Sequence, residues 1–218
     1  MNRRFFILDK FNTWYDWRCT VTAKDVPAAE PKANYINIEG ASGSLDLTEA
    51  LTGEPVYNDR TPTASFMCSE GTHKEREALL RRIRAAIHGR KIPIIEPDDP
   101  EHYLLGRVKI KEEKNQPAFL TFSIEAVCDP YRYAIEETTR AVTLGSRRVD
   151  LVINNDGDKT LCPVIVVAGS AAITCNGVTT PLNSGTYKIT DIKLAPGANV
   201  VSISGTGTVA FNYREAVL

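Results

Sequence analysis

Residues 164–189 have the sequence VIVVAGSAAITCNGVTTPLNSGTYKI, and this stretch decides the fold class. Short runs of Val, Ile and Thr, which are typical of strands, alternate with groups of Gly, Asn and Ser, which are typical of turns. Asn176-Gly177 lies between two such runs. It is a strong hairpin signal, because a type I′ turn needs positive φ at both of its central residues. The stretch therefore predicts consecutive antiparallel strands.

The same alternation extends over the whole chain after Tyr133. Strands are predicted at Val149–Asn154, Val164–Ala168, Ala172–Cys175, Thr186–Ile189, Val200–Ser204 and Thr208–Tyr213. Turns are predicted at Asn155–Gly157, Gly169-Ser170, Asn176-Gly177, Asn183–Gly185, Pro196-Gly197 and Gly205–Gly207. No helical period interrupts this part of the sequence. Strand spacings of roughly 8–12 residues predict a β-sandwich.

The first part of the chain is mainly β but contains one clear helix. Thr72 and Glu75 have the T-x-x-E spacing of a capping box, and Gly89 is a stop signal. The apolar residues between them follow helical spacing, so a helix is predicted over residues 73–88. Strands are predicted at Phe5–Leu8, Arg18–Val26, Tyr35–Glu39, Thr63–Cys68, Ile92–Glu96, Leu104–Lys111 and Ala118–Cys128.

Composition changes near residue 133. Residues 1–133 hold 19 of the 26 Lys and Arg, 20 of the 27 Asp and Glu, and 14 of the 17 aromatic residues. The polar segment Ala134–Arg140 follows this richer part. Two domains are predicted, 1–133 and 134–218. The fold class is mainly β, of the α+β type, with an N-terminal β-sandwich or split barrel that carries the helix and a C-terminal β-sandwich.

The overall composition excludes several classes of protein. The 218 residues are 43% hydrophobic and 24% charged, with a formal net charge of −1, which is typical of a globular chain. With so small a net charge, the protein has no overall electrostatic field that would attract nucleic acid or an anionic membrane. No apolar run approaches the roughly 18 residues of a membrane helix. The apolar run Phe5–Leu8 is too short for a secretory signal, so we expect the chain to fold in the cytoplasm.

Five cysteines are spread along the chain without a C-x-x-C pair, so neither structural zinc nor a thioredoxin-like motif is indicated. The expectation is buried, free thiols in a reducing compartment. The residues are Cys19, Cys68, Cys128, Cys162 and Cys175.

Two charged groups have alternative interpretations. The basic residues of the predicted helix could contact nucleic acid; they are Lys74, Arg76, Arg81, Arg82 and Arg84. Glu75 and Glu77 lie among them and no aromatic residue is placed to stack a base, which favours a solvated or subunit-facing helix.

Asp98–His102 could be a metal or acid/base site. Its flanking prolines favour a polar turn that holds no metal.

Motifs of catalysis are absent from the sequence. Asn154–Asp158 resembles a calcium loop only faintly, because Val152 and Pro163 stand where ligands are needed. There is no G-x-S-x-G, H-E-x-x-H or P-loop, and all three histidines lie before residue 103. We therefore predict that the protein is not an enzyme, with no catalytic, cofactor-binding or metal-binding residues and no cofactor. The residues of any oligomer interface are left unknown.

Four landmarks carry a resemblance to a known family. They are Ile36–Leu51 followed by Tyr57, Asn58 and Arg60; His88–Lys91; Asp98–Val108; and Cys128–Tyr133. In this order they resemble the distal tail protein family of bacteriophages with long, non-contractile tails. Asn154–Asp158 and Pro163–Ile165 are similar to the galectin-like C-terminal sandwich of that family.

The resemblance implies a structural protein of the virion tail tip, made in the bacterial host cytoplasm from a phage or prophage gene. Members form a homohexameric ring through their N-terminal domains. The ring joins the tail tube protein to the tail-tip hub protein, near the tape-measure protein. It leaves a channel through which DNA passes without sequence-specific binding, and no membrane is involved. The alternative function is a carbohydrate-binding adhesion module built on the C-terminal sandwich.

Overall fold

A computed structural model describes residues 5–50, 52–145 and 147–218 of the chain. The described residues form two compact units. The first extends to Arg132 and includes Leu218, and the second is Tyr133–Val217. The predicted fold class is confirmed, because strands dominate and α1 is the one helix in the described ranges.

The first unit is built on one large sheet, with the strand order β2-β1-β7-β8-β9-β6-β3. The pairs of β3 with β6, of β6 with β9 and of β7 with β8 are antiparallel. In chain order the elements are β1 (Ile7–Leu8), β2 (Phe11–Asn12), β3 (Cys19–Asp25), β4 (Tyr35–Asn37), β5 (Ser44–Asp46), β6 (Thr63–Cys68), α1 (His73–Ile87), β7 (Lys91–Glu96), β8 (Asp99–Asn115) and β9 (Leu120–Ala134).

Helix α1 begins and ends as the sequence predicts. Thr72 Oγ1 accepts a hydrogen bond from the Glu75 N–H at 3.3 Å, and the Glu75 carboxylate accepts one from the Thr72 N–H at 2.7 Å. The capping box is therefore confirmed. Gly89 follows the helix with φ of 75°, a conformation that glycine adopts without strain. The apolar stripe, which includes fully buried Ile83 and Ile87, packs into the core of the sheet.

One basic residue of α1 does not lie on the solvated face. The Arg76 side chain is 3% exposed. Its guanidinium donates to the carbonyl oxygens of Gly71 at 2.5 Å, Gln116 at 2.9 Å and Pro117 at 2.7 Å. The prediction of a solvated or subunit-facing side chain is wrong for this residue. Arg76 instead fixes the start of the helix to the turn that joins β8 and β9.

The cysteines also depart from the prediction. Cys19 and Cys68 face each other across β3 and β6 and form a disulfide. The expectation of free thiols is wrong for this pair, because a separation of 49 residues along the chain gives no sign of their cross-strand register. Cys128 and Cys175 are free and buried, and Cys162 is free and half-buried.

The second unit is a five-stranded sheet of order β10-β14-β12-β13, in which β11 also pairs with β14. Its strands are β10 (Thr138–Leu144), β11 (Val149–Asn155), β12 (Val164–Cys175), β13 (Val178–Lys188) and β14 (Gly197–Tyr213), and the short strand β15 (Ala216–Val217) follows them in the chain. Cys175 pairs with Val178 across a two-residue turn. In this turn Asn176 and Gly177 have φ of 51° and 79°, so the predicted hairpin is confirmed.

Three glycines that predict turns lie inside strands instead. Gly169 of β12 faces Gly207 of β14, and Gly205 lies two residues earlier opposite Ala171. All three have positive φ, between 98° and 139°. We call this line the glycine crease. On one side of it β14 pairs with β11 and on the other with β10, and side chains from both halves of the sheet share one core.

Candidate functional site: an exposed hairpin and its root

A long segment leaves the sheet of the first unit between β3 and β6. Residues 27–50 and 52–59 form this segment, which we call the extension. Within it β4 and β5 pair with each other as an antiparallel hairpin, separate from the large sheet. The landmark stretch Ile36–Leu51 lies on this hairpin from Ile36 to Asp46, and its last residue, Leu51, lies outside the described residues.

The root of the extension is fixed by backbone hydrogen bonds. The Lys32 N–H donates to the Val56 carbonyl at 2.7 Å, which ties the outgoing leg to the returning leg. Arg60 and Cys128 then exchange two backbone hydrogen bonds, at 3.0 and 2.9 Å. The returning leg is therefore attached to β9, so the hairpin projects from a defined base.

The hairpin exposes apolar side chains. Tyr35 is 61% exposed, Ile36 46%, Ile38 51% and Leu45 48%. Ile36 pairs with Leu45, and Ile38 follows two residues later on the same face, whereas Tyr35 faces the other side; we call Ile36, Ile38 and Leu45 the apolar hairpin patch. Single exposed apolar residues are ordinary on a protein surface, whereas several on one projecting element mark an interaction surface. The strand prediction at Tyr35–Glu39 locates part of the hairpin, but no local signal shows that it leaves the sheet.

Polar contacts fix the open end of the hairpin, where β4 begins and β5 ends. The Asp46 carboxylate accepts hydrogen bonds from the Thr48 N–H at 2.9 Å and from the Thr48 hydroxyl at 2.5 Å. Both bonds favour the ionised carboxylate and hold the pKa of Asp46 below its usual value. The same hydroxyl oxygen accepts from the Asn34 N–H at 3.0 Å, which links the two strands. The hairpin is therefore preorganised.

The acidic cluster Asp98–His102 lies partly in a turn and partly in a strand. Glu96 pairs with Asp99 across a two-residue loop, so β8 starts inside the predicted turn. The ion pairs here are Lys24 with Glu96 at 2.6 Å and Asp98 at 2.7 Å, and Arg132 with Glu96 and with Asp99 at 3.2 Å. The His102 Nδ1 atom lies 2.8 Å from the Asp99 carboxylate, at hydrogen-bond distance.

This cluster has the chemistry of an ion-pair network. Each of its paired carboxylates faces a cation, which satisfies the charge that a metal ion would otherwise neutralise. Within the described ranges, no group of three or more His, Cys, Asp and Glu side chains is arranged to hold a metal ion. The absence of metal at Asp98–His102 stays a prediction, which elemental analysis of protein purified without chelator would test.

The buried thiols are poor nucleophiles. Burial raises the pKa of Cys128 to about 12, and burial also raises the pKa of Cys175. The reactive form of cysteine is the thiolate, so both side chains are inert near neutral pH.

Three aromatic residues of the second unit contribute to its core. Phe211 is fully buried, and Tyr213 is buried with its hydroxyl donating to the Asn154 carbonyl at 2.6 Å. Tyr187 packs against the same core and donates to the Asn183 carbonyl at 3.1 Å. These three side chains are therefore engaged in packing.

In the part of the chain that the structure describes, no helix is long and apolar enough to cross a membrane. No family model and no curated protein matches the sequence.

The fold resembles that of a solved phage protein over nearly the whole chain. The chain is similar in structure to the SPP1 Dit (gp 19.1) protein, described as a paradigm of the hub adsorption apparatus in phages that infect Gram-positive bacteria. The TM-score is 0.71, the sequence identity is 16%, and the match covers 97% of this chain and 98% of that chain. The resemblance drawn from the sequence is confirmed at the level of the fold.

Proposed function

We propose that this protein is a structural component of a phage tail tip. Six copies form a ring that joins the tail tube to the tail-tip hub and leaves a channel for DNA. Likeness of fold over nearly the whole chain to a hub protein of an adsorption apparatus supports this role. In this role the chain binds other protein subunits and catalyses no reaction.

The apolar hairpin patch is the observation that carries the proposal of self-assembly. It lies on an element that is paired only with itself beyond its root, so an isolated copy leaves it in contact with water. A ring uses head-to-tail contacts, in which one surface of each copy meets a different surface of the next. A projecting hairpin suits such a contact, because it reaches beyond the body of its own subunit.

We expect the triple variant Ile36→Ser, Ile38→Ser, Leu45→Ser to lose self-association. Removing three partly exposed apolar side chains weakens each contact by about 2–3 kcal/mol, which raises the dissociation constant of that contact roughly 30- to 150-fold. Sedimentation velocity of the full chain over a wide concentration range measures this shift. The variant Val152→Ser, Val200→Ser is the matched control, because these residues are 56% and 61% exposed on the second unit.

The control should associate like the wild type. Equal association of the triple variant and the wild type would contradict a role for the patch. Electron microscopy of tails tests the ring itself: we expect six-fold density at the position of this protein, and density without that symmetry would overturn the proposal.

The carbohydrate-binding alternative leads to a separate prediction. Saccharide sites present an aromatic face to the sugar ring, and Tyr187, Phe211 and Tyr213 of the second unit are engaged in its core. We therefore expect no measurable heat when host cell-wall polysaccharide is titrated into the full chain. Millimolar affinity that is lost in Tyr187→Ala would support the alternative function instead.

A further inference from the structure

The disulfide between Cys19 and Cys68 cross-links the two strands of the first unit that flank the extension. It joins β3 to β6, the two strands between which the extension leaves the sheet. Asp25 pairs with Thr63 at the end of this ladder nearest the extension, and Cys19 pairs with Cys68 at the opposite end. The cross-link therefore closes a loop that contains the whole extension.

Strand β3 needs such a cross-link more than its neighbours do. Among the described strands it is the last of the sheet, and there it pairs with β6 alone. Its ladder with β6 is interrupted between Val21 and Ala23. An edge strand with a short, irregular ladder is the first part of a sheet to open, because fewer hydrogen bonds hold it.

The backbone ladder of β3 and β6 brings the two cysteines together. They are directly opposite each other, with their Cα atoms 4.3 Å apart. The Cys19 sulfur lies 3.3 Å from the Trp17 carbonyl oxygen, which is an acceptor for the S–H group once the cross-link is reduced. Because backbone hydrogen bonds hold β3 against β6, we expect the fold to persist when the disulfide is reduced.

We propose that Cys19 and Cys68 are a redox-dependent cross-link, a dithiol in a reducing medium that closes in an oxidising one and then holds β3 on β6. The oxidant is a small-molecule disulfide. One cysteine thiolate attacks it, giving a mixed disulfide and releasing one small thiol. The second cysteine thiolate then displaces the other small thiol, so two protein thiols are oxidised and one small disulfide is reduced to two thiols.

Burial of both sulfur atoms limits the access of small thiols to the cross-link. Cys19 is 0% and Cys68 1% exposed, so a small thiol reaches either sulfur only when β3 opens. The closed cross-link suppresses this opening and so protects itself from reduction. Closure of a loop of this length favours the folded state by roughly a thousand-fold in the chain-entropy model.

The experiment uses the full chain equilibrated in glutathione buffers, reduced or oxidised, followed by denaturation and alkylation. We expect five alkylated cysteines after the reducing buffer and three after the oxidising buffer, with Cys19 and Cys68 protected in the peptide map. The thermal midpoint of the oxidised chain should be higher by roughly 10 °C. The same number of alkylated cysteines in both buffers, whether five or three, or equal midpoints, would overturn the proposal.

Two variants complete the test. Cys19→Ala, Cys68→Ala should show the same midpoint in both buffers, whereas Cys162→Ser should keep the difference. If the double variant does not fold, the thiol count of the wild-type chain decides alone. Neither measurement requires tails or rings, so the outcome is independent of the proposed function.

Discussion

Replacing Gly207 by Ala should prevent the second unit from folding. A Cβ at this position would overlap the Ala168 carbonyl oxygen on β12, far inside the sum of their van der Waals radii. That oxygen belongs to the backbone of a paired strand, so it cannot move aside without breaking the ladder. The φ of 98° adds strain for any residue with a Cβ. We expect a loss of at least about 4 kcal/mol in the free energy of unfolding.

Tryptophan emission reports on the first unit alone, because both tryptophans, Trp14 and Trp17, belong to that unit. In Gly207→Ala, tryptophan emission should stay native while hydrogen exchange in peptides of the second unit becomes fast. Gly145→Ala is the matched control, since a Cβ there meets nothing within 4 Å. Native exchange protection in Gly207→Ala would show that the crease tolerates a side chain.

The second large effect is expected at Arg76. In Arg76→Met the aliphatic part of the side chain is kept and the guanidinium is lost. The carbonyl oxygens of Gly71, Gln116 and Pro117 then lose a donor beside a buried side chain. Because each unsatisfied group costs about 1–3 kcal/mol and water reaches part of this turn, we expect a loss of about 3 kcal/mol.

Urea unfolding followed by tryptophan emission measures this change in the first unit. Arg82→Met is the control, because Arg82 is an exposed residue of the same helix. Its effect should stay within about 0.5 kcal/mol. Equal midpoints for the two variants would mean that the Arg76 hydrogen bonds contribute nothing to stability.

Local signals predicted the elements that depend on local physics. The capping box and apolar spacing define α1, and Asn176-Gly177 defines its hairpin, because both patterns act within a few residues. At the glycine crease, by contrast, local signals predicted turns where the chain continues as strands. Glycine at positive φ is typical of a turn, and only the partner strand shows that Gly207 continues β14.

The candidate functional site could be predicted from the sequence less well than the helix and the hairpin. Whether Ile36 packs on a sheet or faces water depends on where the hairpin lies, which no local pattern encodes. Arg76 looks like its charged neighbours on the helix, and the carbonyls that hold it come from a turn 40 residues later. The Cys19–Cys68 pair likewise depends on a cross-strand register between distant segments.

The position of β14 has a consequence for the order of folding during translation. This strand hydrogen-bonds to β10, β11 and β12, and Thr138 pairs with Tyr213, 75 residues later. Until the ribosome has delivered residues 197–213, the earlier strands of the second unit lack their central partner. The first unit has its large sheet by Arg132, so it folds while the rest is still being made. Nascent chains stalled between these points should carry a native first unit followed by unpaired strand edges, the species most exposed to aggregation.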